Sequence, residues 1–178
     1  EAEDAPHASF TDHWIRVVRE EASAPTPAPA HAPVTLTPYF DPDEGRVYEG
    51  MAYIVYGQQQ RNDSALRKGV DVLTEALDGQ TGFGEAHFLH GLALMRLGET
   101  AAAIPALEEA VRQGSDIPER LNALAQAYET DGRDPTRIER LYRRALDLQP
   151  ALADVRVNYG RFLETQGRTA EAMTQYEA

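Results

Sequence analysis

A repeat of about 34 residues is the feature that most restricts how this chain can fold. When the sequence is shifted by that length, small residues realign in four successive segments, with one extra residue in the third; they are Gly57, Gly91, Ala125 and Gly160. A fixed period of this size indicates a stacked array in which each unit packs only against its neighbours. No single copy can bury both of its faces alone.

The segment from Gly84 to Ile117 is the most regular copy, and it predicts two helices joined by a turn. Gly98 suits the end of the first helix because glycine reaches left-handed backbone angles without a Cβ clash, and Thr100 can cap the second helix. Small residues lie where the two backbones would approach each other. Large apolar residues fill the space between them: Phe88, Leu92, Leu94, Leu97, Ile104, Leu107 and Val111.

This period, with its alternation of small and large residues, resembles the tetratricopeptide repeat. The four copies are matched at residues 50–83, 84–117, 118–152 and 153–178. The resemblance implies an all-α fold, a right-handed α-solenoid of stacked helix-turn-helix repeats.

Ahead of the repeats, the composition changes twice and predicts three parts: an N-terminal motif segment at 1–21, a linker and docking strip at 22–43, and a repeat domain at 44–178. The linker alternates alanine with proline, which fixes φ and lacks a donor, so we expect an extended arm. Within the first part, Trp14 to Val18 predict one side of a short helix. The start without methionine and the end inside a helix lead us to expect a piece of a longer protein.

Composition excludes several functions. The net charge of −12 argues against nucleic acid as a partner, because its phosphates would be repelled. The lack of cysteine excludes disulfides and thiol catalysis. We find no nucleophile elbow, no phosphate-binding glycine loop and no carboxylate pair in a pocket, so an enzyme is not predicted. No apolar run is long enough for membrane insertion.

In the tetratricopeptide family, the first helix of each copy lines a concave groove. By this resemblance, the partner-binding residues are Ile54, Gln58, Phe88, Leu92, Met95, Asn122, Gln126, Val157 and Arg161. Three of them, Phe88, Leu92 and Met95, form an apolar patch, and an exposed patch of this kind would indicate a partner-binding site. The alternative is that the proline-rich strip or a neighbouring chain packs there.

Two further motifs have a structural and a functional interpretation. His87 and His90 share one helix face, but a metal site needs more ligands than two, so packing roles are favoured. Asn62, Asp63 and Ser64 form a glycosylation sequon on the first inter-helix turn, a triplet that is common by chance.

The N-terminal run from Asp4 to Trp14 carries His7 and His13 in the order H-x-S-F-T-D-H-W, followed by an Ala/Pro linker and repeats. It resembles the junction in bacterial multihaem c-type cytochromes that have a C-terminal tetratricopeptide domain. This resemblance implies that His7 and His13 are haem axial ligands. Without cysteine, the chain alone holds no cofactor, and haem c would come from missing residues or another chain. Alternatively, His13 packs a short helix and His7 is exposed.

These observations favour a non-catalytic scaffold for protein–protein interaction, with a protein partner or copies of itself. The alternative is a C-terminal module of an exported multihaem cytochrome that takes part in electron transfer. The cytochrome resemblance implies a periplasmic or extracellular location in bacteria, and its failure would imply the cytoplasm.

Overall fold

The computed structural model describes residues 15–16, 37–38, 42–79 and 82–177. The chain divides into two compact units, Glu1–Ala76 and Leu77–Ala178. In the first unit, the described elements are β1 (Ile15–Arg16), β2 (Thr37–Pro38), α1 (Pro42–Gln59) and α2 (Asp63–Ala76). In the second unit, they are α3 (Gly84–Arg96), α4 (Thr100–Gln113), α5 (Pro118–Thr130), α6 (Pro135–Leu148), α7 (Ala153–Thr165) and α8 (Thr169–Glu177).

In the first unit, α1 and α2 form an antiparallel hairpin. A Cβ at Gly57 would lie 2.7 Å from the backbone nitrogen of Leu66, and one at Gly69 would lie 2.8 Å from that of Ile54. The two backbones can therefore approach this closely only because glycine occupies both positions.

The short helix expected around Trp14 to Val18 is wrong, because Ile15–Arg16 is extended. It pairs antiparallel with Thr37–Pro38, Ile15 opposite Pro38 and Arg16 opposite Thr37. The β-branched residues in this stretch lose side-chain freedom in a helix and favour an extended backbone, so the ladder prevails over the amphipathic pattern.

The second unit consists of three consecutive helix pairs: α3 with α4, α5 with α6, and α7 with α8. Successive pairs are joined by packing of α4 on α5 and of α6 on α7, while α5 lies between α3 and α7 and contacts both. The small residues predicted at helix contacts are fully buried in this unit: Ala103, Ala110, Ala125, Ala145 and Ala172. Large buried side chains of α4, α5, α6 and α7 fill the space between the helices; the largest are Tyr128, Tyr142, Phe162, Leu107, Leu121 and Leu163.

The turn that ends α3 has the geometry expected from its glycine. Gly98 has φ +81°, its N–H donates to the carbonyl of Met95, and the next N–H, from Glu99, donates to Leu94. Gly132 and Gly167 repeat this arrangement after α5 and α7. In the first unit, Arg61 occupies the left-handed position at φ +50° instead of a glycine.

The capping role expected for Thr100 is wrong. Thr100 is the first helical residue of α4, and Glu99 occupies the N-cap position without a side-chain cap. In contrast, α6 has a side-chain cap, because the carboxylate of Asp134 accepts a 3.0 Å hydrogen bond from the N–H of Thr136. Among the residues that the structure describes, no helix is both long and apolar enough to cross a membrane.

Candidate functional site

The neighbouring helices α3, α5 and α7 form a groove, which we call the first-helix groove. A cavity of about 120 Å³ opens in it. Side chains from all three helices line this cavity, together with one from α6; they are Met95, Gln126, Glu129, Thr130, Tyr142, Asn158 and Arg161. The groove therefore combines an apolar side, from α3, with a polar side, from α5 and α7.

Three of the residues singled out in the sequence meet in this cavity: Met95 from α3, Gln126 from α5 and Arg161 from α7. A fourth, Asn122, lies one turn before Gln126, and its Oδ1 accepts a 3.1 Å hydrogen bond from Nδ2 of Asn158. This bond connects α5 to α7 beside the cavity. Each helix contributes one residue of the predicted set to a single cavity.

The other predicted residues of the second unit lie outside this cavity. Val157, on α7, is 48% exposed. Phe88 and Leu92, on α3, are half-buried, and the guanidinium carbon of Arg120 lies 6.0 Å from the centre of the Phe88 ring. The apolar patch therefore continues along α3 away from the cavity.

The two predicted residues of the first unit have different surroundings. Ile54 is fully buried in the α1–α2 hairpin, where its side chain is the nearest neighbour of Gly69. A side chain without exposed surface cannot contact a partner, so Ile54 does not fit the predicted binding surface. Gln58 is half-buried on α1.

A carboxylate and a tyrosine hydroxyl determine the electrostatics of the cavity. The hydroxyl of Tyr142 donates to Oε1 of Glu129. Burial raises the pKa of Glu129, while the Tyr142 hydrogen bond and the charge of Arg161 act in the opposite direction. Burial also raises the pKa of Tyr142, and the hydrogen bond to Glu129 raises it further. Tyr142 therefore stays a protonated donor at neutral pH, which fixes one oxygen of the carboxylate.

Four lining residues were missed from the sequence: Glu129, Thr130, Tyr142 and Asn158. Glu129 and Thr130 follow Gln126 by three and four positions, and Asn158 precedes Arg161 by three, so helical spacing from the predicted residues could have found them. No such signal exists for Tyr142, because it lies on α6 and its period marks it as a core residue.

His87 and His90 are both buried in α3. Burial lowers the pKa of His90 to about 4, with a smaller contribution from the neighbouring His87. In the described part of the chain, no group of three or more His, Cys, Asp or Glu side chains is arranged to hold a metal ion. The packing interpretation of this pair agrees with their burial.

The sequon has a structural use in the first unit. Asn62 is buried, and its Oδ1 accepts a 3.1 Å hydrogen bond from the N–H of Ala65, which caps the start of α2. Attachment of a glycan to Asn62 would require this end of α2 to open. The two histidines of the N-terminal motif, His7 and His13, and the proline-rich linker lie outside the described residues.

Comparison with known proteins identifies the fold. The family model described as tetratricopeptide repeat matches residues 88–151 and 138–178, together just over half of the chain. Among proteins with curated annotation, none matches the chain in sequence.

Several solved structures of the protein MamA have a similar fold. One crystal structure is 20% identical, with a TM-score of 0.66, and the match covers 76% of this chain and 75% of MamA. Residues 41 to the end of MamA from Desulfovibrio magneticus RS-1 are 18% identical, with a TM-score of 0.65 and coverage of 76% and 72%. MamA from strain MSR-1 is 20% identical, with a TM-score of 0.64 and coverage of 78% and 74%. The predicted all-α repeat fold is thus confirmed.

Proposed function

Because this chain belongs to the tetratricopeptide repeat family, we propose that it is a non-catalytic scaffold that holds an extended segment of a partner protein in the first-helix groove. The supporting observation is the cavity in that groove, to which Met95, Gln126 and Arg161 contribute from three successive first helices. A segment lying across these helices would contact all three at once.

The chemistry of the groove suits a peptide with both polar and apolar contacts. Arg161 is exposed and offers several N–H donors, while Gln126 offers both a donor and an acceptor. Met95 and the half-buried Leu92 supply an adaptable apolar wall on α3. Asn158 already donates one N–H to Asn122, so its amide oxygen is oriented as an acceptor.

The role of Glu129 in this proposal is binding rather than acid–base catalysis. Its carboxylate accepts the Tyr142 hydroxyl, which fixes its position. Burial raises the pKa of Glu129, and the Tyr142 hydrogen bond and the positive charge of Arg161 counteract that shift. A fixed carboxyl acceptor beside an exposed guanidinium can orient a peptide that carries both donors and acceptors.

A selection from a random peptide library tests the proposal. A displayed 12-residue library is selected on the purified chain, and the affinity of an enriched peptide is measured by fluorescence polarisation. The Gln126→Ala/Arg161→Ala variant should bind at least about tenfold more weakly, which corresponds to about 1.4 kcal/mol.

Arg96→Ala is the matched control, because Arg96 is an exposed arginine on α3 that does not line the cavity. It should leave the affinity unchanged. Failure to enrich any peptide, or equal affinity of the wild type and the Gln126→Ala/Arg161→Ala variant, would contradict the proposal. Far-UV circular dichroism checks that each variant remains helical.

The cytochrome alternative stays a prediction that rests on the order of residues around His7 and His13. Neither the family match nor the MamA structures add support to it. The measurement is a visible absorption spectrum of the native full-length protein. A Soret band with bis-histidine features that are lost in a His7→Ala/His13→Ala variant would support haem ligation and an exported location, and a spectrum without a Soret band would defeat it.

A further inference from the structure

The outer side of α6 carries an unusual row of residues. Arg137, Leu141, Arg144 and Leu148 follow one another at spacings of four, three and four, which places them in line along the helix. The two arginines are exposed, Leu141 is half-buried, and Leu148 is 43% exposed. We call these four residues the Arg–Leu row. A row of this spacing has the geometry with which one helix receives another.

This helix is positive in an acidic chain. It contains four arginines against Glu139 and Asp147, which gives the helix a net charge of +2. Because the whole chain carries −12, the residues outside α6 together carry −14. Arg140 lies beside the row and is exposed. An anionic ligand approaching the molecule would therefore find its most favourable potential along α6.

The arginines differ in how firmly they are held. Arg143 lies outside the row, three residues after Arg140, and contacts Glu139 at 2.7 Å and the hydroxyl of Tyr159 at 3.2 Å. In the row, Arg144 pairs with Asp116 at 3.0 Å, but the two side chains are 50% and 76% exposed. Surface pairs of this kind contribute little to stability, so Arg144 can exchange its partner at small cost.

Arg137 is held more firmly at the start of the row. It contacts Glu108 at 3.2 Å, and its guanidinium carbon lies 4.5 Å from the centre of the Tyr128 ring. Arg140 makes no ion pair within the described residues. Arg140 and Arg144 are thus the two guanidinium groups available to a ligand, and Arg137 fixes one end of the surface.

An open cavity of about 490 Å³ lies along this side of α6. It is lined by Arg137, Arg140, Leu141, Arg143, Arg144 and Asp147. The cavity is separate from the first-helix groove, because Tyr142, the α6 residue that reaches the groove, is fully buried and points the other way.

We propose that the Arg–Leu row and Arg140 form a second interaction surface, which binds an acidic amphipathic helix from a separate partner protein. Leucines of that helix pack on Leu141 and Leu148, and its flanking glutamates pair with Arg140 and Arg144. The alternation of arginine with leucine favours this ligand over a purely anionic polymer, which would leave the leucines uncovered. With the groove occupied as well, the chain links two partners.

The test uses a fluorescein-labelled 15-residue helical peptide with leucine at 4-3 spacing and glutamate at the flanking positions. Its binding to the full chain is measured by fluorescence polarisation at low and high salt. The Arg140→Glu/Arg144→Glu variant should bind at least about tenfold more weakly. The matched control, Arg61→Glu/Arg96→Glu, changes the net charge by the same amount at exposed sites outside the row and should bind like the wild type.

A second peptide, with every glutamate replaced by glutamine, should bind at least about tenfold more weakly than the first. A Leu148→Ala variant should also weaken binding, and it leaves every charge in place. The charge-reversed variant, Arg140→Glu/Arg144→Glu, is shown to be folded if it keeps its helicity and still binds a peptide selected for the first-helix groove.

The proposal is overturned if the reversed variant or the glutamine peptide binds as well as the wild-type pair. It is also overturned if anionic phospholipid vesicles or single-stranded DNA displace the peptide more effectively than unlabelled peptide does. Self-association of the wild type that is lost in the reversed variant, measured by sedimentation velocity, would replace the separate partner by a second copy and would likewise refute it.

Discussion

The hydroxyl of Tyr159 on α7 donates a 2.9 Å hydrogen bond to Oε1 of Glu139 on α6. The other oxygen of Glu139 accepts a 2.8 Å bond from Arg168, which precedes α8. The hydrogen bond from Arg168 is the main cause that lowers the pKa of Glu139, whereas burial raises the pKa of Tyr159. One carboxylate thereby joins three helices at the contact between successive repeats.

The same arrangement occurs one repeat earlier. Tyr128 on α5 donates to Glu108 on α4, and Arg137 at the start of α6 donates to the same carboxylate. In both cases the tyrosine follows the glutamate by 20 positions and the arginine follows it by 29. Two successive junctions thus use the same polar contacts, although the roughly 34-residue period of the small residues does not reveal them.

Tyr159→Phe should reduce the free energy of unfolding by about 1–2 kcal/mol, because Glu139 loses a neutral donor while the ring stays in place. Urea denaturation measures the change. In a double-mutant cycle with Glu139→Gln, the coupling energy should be about 0.5–1.5 kcal/mol. Additive effects of the two substitutions would show that the hydrogen bond contributes nothing.

Arg61→Gly should stabilise the first helical hairpin. Arg61 has φ +50°, a left-handed conformation that glycine adopts without strain, as Gly98 and Gly132 do in equivalent turns. The expected gain in the free energy of unfolding is about 0.5–1 kcal/mol. Arg61→Ala removes the same side chain and keeps the Cβ, so it should give no gain. Equal stability of the two variants would contradict the strain argument.

Alanine should destabilise the protein at one of two glycines of the same repeat position and leave the stability nearly unchanged at the other. At Gly57, a Cβ would lie 2.7 Å from the backbone nitrogen of Leu66, which cannot move without separating the helices. Gly57→Ala should therefore cost about 1–3 kcal/mol.

Gly160→Ala is the matched control for this substitution. Its Cβ would meet the ring of Tyr176, a side chain that is 44% exposed and can rotate away. The better helix propensity of alanine offsets the adjustment, so stability should change by less than about 0.5 kcal/mol. Thermal unfolding of both variants measures the difference, and a Gly57→Ala variant as stable as Gly160→Ala would refute it.

His90 should titrate well below an ordinary histidine. Its pKa is lowered to about 4 in the fold, against about 6.5 in an unfolded chain. Above pH 6.5 the imidazole is neutral in both states. As the pH falls from 6.5 to 4, the unfolded state gains the proton first, so the folded state loses up to about 3 kcal/mol of stability.

Imidazole NMR signals followed against pH measure this pKa directly. In urea denaturation, His90→Gln should show a smaller loss of stability between pH 6.5 and 4 than the wild type. A His90 midpoint near 6.5, or parallel pH profiles of the two proteins, would refute the prediction.

Much of the groove could be derived from the sequence. Gln126 and Arg161 meet in one cavity because they occupy equivalent positions of stacked first helices. Met95 joins them from α3, three residues after the equivalent Leu92 and on the same helix face. Ile54 shows the limit of this reasoning, since it occupies the same repeat position as the exposed Val157 but is completely buried by close contact with Gly69. The N-terminal strand at Ile15–Arg16 shows another limit, because its partner is more than twenty residues away in sequence.

By itself, the sequence determined the helix pairs, their turns at glycine and the small residues between them. These features depend on backbone angles and helical spacing within one repeat, which neighbouring residues fix. Only the tertiary structure decided that Tyr142 reaches Glu129 in the groove, and that Tyr159 and Arg168 share Glu139. Such contacts depend on how one helix is rotated and shifted against the next, and side-chain packing across the whole interface sets that geometry.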